Sequence, residues 1–113
     1  MTELKSDLKI KAALKLAQSN YKIATVIRKG DRDNGAIYVK LRRQDQRCIL
    51  RGRYLDENGF YSWKDVINFN DTWLEEDKID IRLDKELQFD PDLWILEIET
   101  NELWNPLEEI YND

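Results

Sequence analysis

Polar and apolar positions change period several times along the chain, and the changes mark out its elements. In "AIYVKLRR", Ile37, Val39 and Leu41 fall on one side and Tyr38, Lys40 and Arg42 on the other. That two-residue period is the signature of a strand. "RCILRGRY" repeats it, with Cys48, Leu50 and Tyr54 opposed to Ile49, Arg51 and Arg53. "YKIATVIRK" is rich in β-branched residues and predicts a strand before these two, and "FYSWKDV" predicts a short one after them. "QDQ" has the length and chemistry of a hairpin turn, and "DENG" closes the third run. Connections this short cannot cross a sheet, so the four runs predict an antiparallel meander.

Two stretches carry a helical period. In "SDLKIKAALKLAQSN", Lys11, Lys15 and Gln18 share a narrow polar stripe and alanines and leucines fill the rest, as suits a helix lying on a sheet. Ser6 is its expected N-cap. In "NDTWLEEDKIDIRLDKELQFD", Ile79, Leu83 and Leu87 form an apolar stripe. Thr72 and Glu75 fit a capping box, and Glu75, Glu76 and Asp77 suit the positive end of the helix dipole. Pro91 stops this helix, and "LWILEIE" follows as a strongly apolar strand with Trp94, Leu96 and Ile98 on one face and Leu93 and Ile95 on the other. The predicted fold is α+β: an antiparallel sheet of about five strands with two helices packed on one face, in the order α-β-β-β-β-α-β. Residues 1–113 form a single domain in this reading, with 100–113 as a C-terminal tail or short helix.

Composition narrows the chemistry. A chain of 113 residues with 42% hydrophobic residues can bury one core without staples. The single cysteine, Cys48, makes no internal disulfide and sits in an alternating run, which predicts a core residue. The charged start "TELKSDLKIK" is unlike a signal peptide, and no apolar run reaches the ~20 residues that span a bilayer, so a soluble, cytoplasmic protein is expected without membrane association. The net charge of −5 hides an asymmetry: residues 1–53 carry fourteen Lys/Arg and five Asp/Glu, whereas residues 70–113 carry three and fifteen. Mutual neutralisation on folding is preferred to a nucleic-acid partner, because one small domain packs both halves together.

Candidate sites follow from what remains. "GDRDNG" lacks the length and distal Glu of an EF-hand and the Gly-Lys-Ser/Thr of a P-loop. It reads as a hairpin turn in which Gly35 takes positive φ. Histidine is absent, which removes the commonest general base and, with one Cys, any zinc site of usual composition. Asp90, Asp92, Glu97 and Glu99 imitate part of a magnesium-nuclease pattern, but Glu99 stands where a Lys is needed. The segment from Lys40 to Arg53 holds six cations and one acid. Lys40, Arg42, Arg43, Arg47, Arg51 and Arg53 are therefore the candidate binding residues, able in principle to follow a phosphate backbone, with Tyr38, Tyr54 and Phe60 as stacking surfaces.

"LKSDLKIKAAL", "RKGDRDNGAIYVKL" and "FDPDLWILEIE", in this order, resemble a small, mostly alphaproteobacterial family of domains of unknown function (DUF1491-like). The resemblance runs from about Leu4 to Glu99, with "QDQRCILRGRYLDENG" departing from it. It implies a bacterial, cytoplasmic protein and carries over no activity, cofactor or catalytic residue. The expected function is a non-enzymatic interaction module with an unknown protein partner or a second copy of itself. The alternatives are an RNA-binding module using the basic hairpin and, more weakly, a divalent-metal-dependent hydrolase.

Overall fold

The computed structural model describes residues 4–111. In chain order the elements are α1 (Ser6–Ser19), β1 (Ile23–Arg28), β2 (Ile37–Arg42), β3 (Arg47–Leu55), β4 (Tyr61–Asp65), β5 (Leu74–Glu75), α2 (Glu76–Phe89), β6 (Trp94–Glu99) and α3 (Leu107–Tyr111). The α+β class and the mostly antiparallel sheet agree with the sequence pattern. The sheet order is β1-β6-β2-β3-β4, with the two-residue β5 pairing with β3 as well. β2, β3 and β4 form the expected meander. β6, however, inserts between β1 and β2, antiparallel to the first and parallel to the second.

Register fixes two faces. Val39 lies beside Leu96, and Leu41 beside Ile98 and Ile49, while Lys40 lies beside Leu50 and Glu97. On the first face, Ile10, Ala13 and Ala17 of α1 and Leu107 of α3 cover Ile37, Val39, Leu41, Ile49, Trp94, Leu96 and Ile98. On the second, Ile79 and Leu83 of α2 cover Cys48, Leu50, Leu93 and Ile95, with Val66 beside them. The two long helices thus pack on opposite faces, not on one. The reason is that β3 and β6 are apolar on both sides, and a sheet apolar on both sides needs a layer on each.

The "GDRDNG" segment is not a hairpin, because β6 separates the strands it joins. It is a crossover whose backbone presses against the start of β6. The Asp31 amide donates to the Asp92 carbonyl at 2.9 Å, the Trp94 amide to the Ala36 carbonyl at 2.8 Å, and the Trp94 indole to the Asp31 carbonyl at 2.6 Å. The Asp31 carboxylate accepts from the amides of Asp33 and Asn34 and braces the turn. The loop also caps α1: the Ser6 amide donates to Asp33 at 3.2 Å and the Asp7 amide to Arg32 at 3.0 Å. Two of the orphan amides of a helix start are thereby satisfied by main chain. Lys5 is the N-cap residue, and the Ser6 hydroxyl instead donates to the Gly35 carbonyl at 2.6 Å.

Gly35 is required for closeness, not for positive φ. A Cβ there would meet the Asp92 carbonyl oxygen, with the Asp31 oxygen and a Trp94 ring carbon each at 2.8 Å; Gly30 is pressed against Asp92 and Leu93 in the same way. Gly59, in the "DENG" turn, is the glycine with positive φ, at 87°, and open space surrounds it. The expected capping box does not form either. Residues 74–75 pair with β3, α2 starts at Glu76, and the Thr72 hydroxyl donates to the Asn70 side chain. The predicted tail contains α3, and its last two residues lie outside the described range.

Gly35→Ala is expected to destabilise the protein by ~2 kcal/mol or more, because the surrounding backbone cannot yield. Gly59→Ala should cost only ~1 kcal/mol, the penalty of positive φ in open space. Urea unfolding of both variants checks this, and equal losses would contradict it. Trp94, 3% exposed, should cost ~3–5 kcal/mol on truncation to Ala in the same measurement.

Candidate ligand-binding cleft

The fold distributes the six candidate cations over both faces and both ends of the sheet. Lys40, in the middle of β2, points under α2. Its Nζ lies 2.7 Å from Glu76, 3.2 Å from Asp80 and 3.4 Å from Glu97. Arg42 reaches the same Glu76 carboxylate at 3.2 Å. Burial works to lower the Lys40 pKa, but the hydrogen bonds from Glu76 and Asp80 outweigh it and raise the value above the ordinary lysine range. The same Lys40 bond holds Glu76 below the usual carboxylate range. The basic hairpin and the acidic helix therefore neutralise each other here, as the charge split suggested.

Arg51 points to the first face. It pairs with Asp71, donates to the Trp63 carbonyl at 3.1 Å and approaches Glu108 at 3.8 Å. Glu108 is pushed above its ordinary value by burial, which the neighbouring Arg51 only partly offsets. Arg43 makes a two-point bond to Asp45 and stacks 4.6 Å from Trp73. Arg47 is exposed at the start of β3, six residues before Arg53, or about 20 Å along a strand. Among the described residues the six do not share one surface.

The carboxylates of the last strand are placed equally firmly. Glu97 faces Lys40, and Asp90 accepts from the Asp92 amide at 3.1 Å and closes the end of α2. Among the described residues no three Asp, Glu or Cys side chains are grouped to hold a metal ion. Cys48 is fully buried beside α2, and burial pushes its thiol up to about 11.

Arg53 stands apart, because it faces a cleft. A cavity of about 580 Å³ opens where the start of α1, the 33–38 segment, the ends of β3 and β4, and α3 meet. Lys5, Lys9 and Arg53 supply its positive charge, and Tyr61 and Tyr111 its rings, whereas the ring of Tyr38 packs on the other sheet face against Gly52 and Tyr54. The Lys9 ammonium sits 4.0 Å from the centre of the Tyr111 ring. The Arg53 guanidinium is 3.8 Å from the Tyr61 ring and 4.0 Å from Tyr111. Lys9, Tyr111, Arg53 and Tyr61 thus form one linked cation–π array, of a kind worth more when water is excluded. Asp33 is the carboxylate in the lining and pairs with Lys5 at 3.6 Å, both side chains being more than half exposed. Sequence reasoning found Arg53 but not Lys5, Lys9, Tyr61 or Tyr111. Local pattern carries no signal for them, because four separate elements bring them together.

Lys40→Met should lower stability by ~3 kcal/mol at neutral pH, since it strands carboxylates beneath α2. The sign with pH follows from Glu76. Its folded pKa is depressed, so its pairing stabilises above the ordinary carboxylate pKa and fades as pH falls through the folded value. The difference between wild type and Lys40→Met in urea should therefore shrink steadily from pH 6 to pH 3, and a difference that grows would contradict the ion-pair account. Native Cys48 should react with a thiol reagent at pH 8 at least ~100-fold more slowly than in urea, because its thiol is buried and protonated. Rapid native labelling would place Cys48 outside the core.

Solved structures support the same architecture. A crystal structure of a DUF1491 family protein from Caulobacter crescentus matches with a TM-score of 0.76 at 28% identity, over 88% of this chain and 90% of that one. A solution structure from A. tumefaciens matches with a TM-score of 0.73 at 28% identity, over 90% of each chain. A search of curated proteins finds no match. No helix among the described residues is long and apolar enough to cross a membrane. The family model for proteins of unknown function, DUF1491, matches residues 4–108, and the chain belongs to that family.

Proposed function

We propose that this chain is a small, cytoplasmic, non-enzymatic binding module that contacts an anionic partner through the cleft at the start of α1. The observation that carries this reading is the convergence of Lys5, Lys9 and Arg53 with the rings of Tyr61 and Tyr111 on one cavity of ligand size. Around Lys40 and Arg51 the cations are matched by carboxylates. The cleft lining holds three cations, Lys5, Lys9 and Arg53, against one carboxylate, Asp33, in a protein of net charge −5. Of the six cations between Lys40 and Arg53, Arg53 is therefore the one assigned to partner contact. An RNA partner gripped along the whole basic hairpin fits less well, because Lys40, Arg42 and Arg51 point to different faces and are ion-paired.

The test is NMR titration of the ¹⁵N-labelled protein with phosphate, citrate, a nucleoside monophosphate and a short polyglutamate peptide. At least one should shift the amides of Ser6, Asn34, Gly35 and Ile37 together. If none moves them, or if shifts gather only at other surfaces, the reading fails.

A further inference from the structure

The cleft flanks α1 on the side of Lys5 and Lys9. On the opposite flank, Asp7, Lys11 and Leu14 share a helical stripe and border a groove of about 780 Å³ between α1 and β1. Its apolar wall is made of Ile10, Leu14, Val26 and Trp94, and Lys11, Lys29 and Arg32 stand around it. β1 ends the sheet, since its one ladder among the described residues is with β6. Alternate amides and carbonyls of residues 23–26 therefore point away from the sheet, an edge to which an extended chain can add. Past Val26 the register shifts in a bulge, which confines regular pairing to the residues before it. No proline and no charge interrupts residues 23–27, and on the face away from the groove Ile23 and Ile27 are 62% and 50% exposed. Charge selects the incoming strand. Lys11, Lys15 and Lys29 are exposed, and among the described residues their side chains make no ion pair or hydrogen bond. Arg32 meets Asp7 at 3.4 Å with its side chain 80% exposed. The Asp7 Oδ1 is buried and accepts no bond among the described residues, which leaves an acceptor for an amide or hydroxyl of the incoming chain. Lys22 and Arg28 bracket β1 and rest on neutral oxygens. Two copies paired antiparallel along this edge would set like charges against each other, which disfavours a second copy of the chain.

We infer that the outer edge of β1 and the groove beside it are a docking site for an extended, acidic segment of a partner protein, which adds a strand to the sheet. Its apolar side chains on the α1 side fill the groove against Val26 and Trp94, and its flanking acids meet Lys11, Lys29 and Arg32. This site is separate from the cleft and does not depend on the cleft's occupant.

The experiment titrates the ¹⁵N-labelled full chain with the peptide EEVTVIVEE. The peptide should shift the amides of Leu14, Thr25 and Val26 and the Trp94 indole, and slow hydrogen exchange at the outward-facing amides of β1. It should bind at least ~10-fold more tightly than EEVTPIVEE, whose proline interrupts a ladder, and than the basic peptide KKVTVIVKK. Lys11→Glu combined with Lys29→Glu should weaken it by ~10-fold or more, with unchanged chemical shifts at Val39, Leu41 and Leu96 as proof of folding. Each single variant alters one exposed side chain, should weaken the peptide by ~3-fold, and keeps the test valid should the double variant unfold. Equal binding of the proline or the basic peptide would overturn the inference. An oligouridylate that moves the same amides as tightly would overturn it in favour of RNA. Shifts in β1 that follow protein concentration without peptide would overturn it in favour of a second copy. A β1 that responds to no peptide would overturn it as well, whereas Asn34 and Ile37 report on the cleft separately.

Discussion

Main chain pressed against main chain, between the 30–36 segment and Asp92–Trp94, is the contact on which the rest of the structure depends. Gly30 and Gly35 permit it because no Cβ fits in either place. Its hydrogen bonds run from Asp31 to Asp92 and from Trp94 to Ala36, with the Trp94 indole on the Asp31 carbonyl. The contact seats β6 between β1 and β2 and so determines strand order. It also turns the carbonyls of Arg32 and Asp33 toward the first amides of α1. α1 is thereby anchored at its N-terminal end, and the same anchoring places Lys5 and Lys9 in the lining of the cleft. A single close approach of backbone thus links sheet topology, helix position and the candidate site.

The two faces of the sheet use charge differently. Under α2, Lys40 is surrounded by Glu76, Asp80 and Glu97, and the cation is held in place by its partners. Burying such a group is costly, and the arrangement gains orientation more than stability, since it seats the start of α2 over β2. On the first face, Arg51 ties the loop at Asp71, the β4 backbone at Trp63 and the short α3 together. Tyr111 of α3 then meets Lys9 and Arg53. The terminal helix is small, but it completes one wall of the cleft.

Much of this was legible in the sequence wherever the determinant is local. Alternation set Val39 and Leu41 opposite Lys40 in one strand and Ile49 opposite Cys48 and Leu50 in the next, and the structure agrees. The stripe of Ile79 and Leu83 correctly gave the buried side of α2. Non-local determinants were not legible. Nothing in "GDRDNG" announces that a strand sixty residues later inserts beside it, so Asn34-Gly35 read as a hairpin. The capping box at Thr72 lost to strand pairing of Leu74 and Glu75, a tertiary contact that overrides local preference. Apart from Gly59, positive φ falls on Tyr21, Gln46, Phe69 and Asp71, none a glycine, so composition gave no warning of these four. The cleft was the least legible feature, for it draws on both ends of the chain.

Native-state hydrogen exchange at Ser6 and Asp7 tests the central claim most directly. If the 30–36 backbone caps α1 and is itself held by β6, these two amides exchange as slowly as those of Asp31 and Gly35, as one cooperative unit. In Gly35→Ala all four should lose protection together, while the β3 and β4 amides keep theirs. Ser6 and Asp7 exchanging at unprotected rates in the wild type, or remaining protected in Gly35→Ala, would contradict the account.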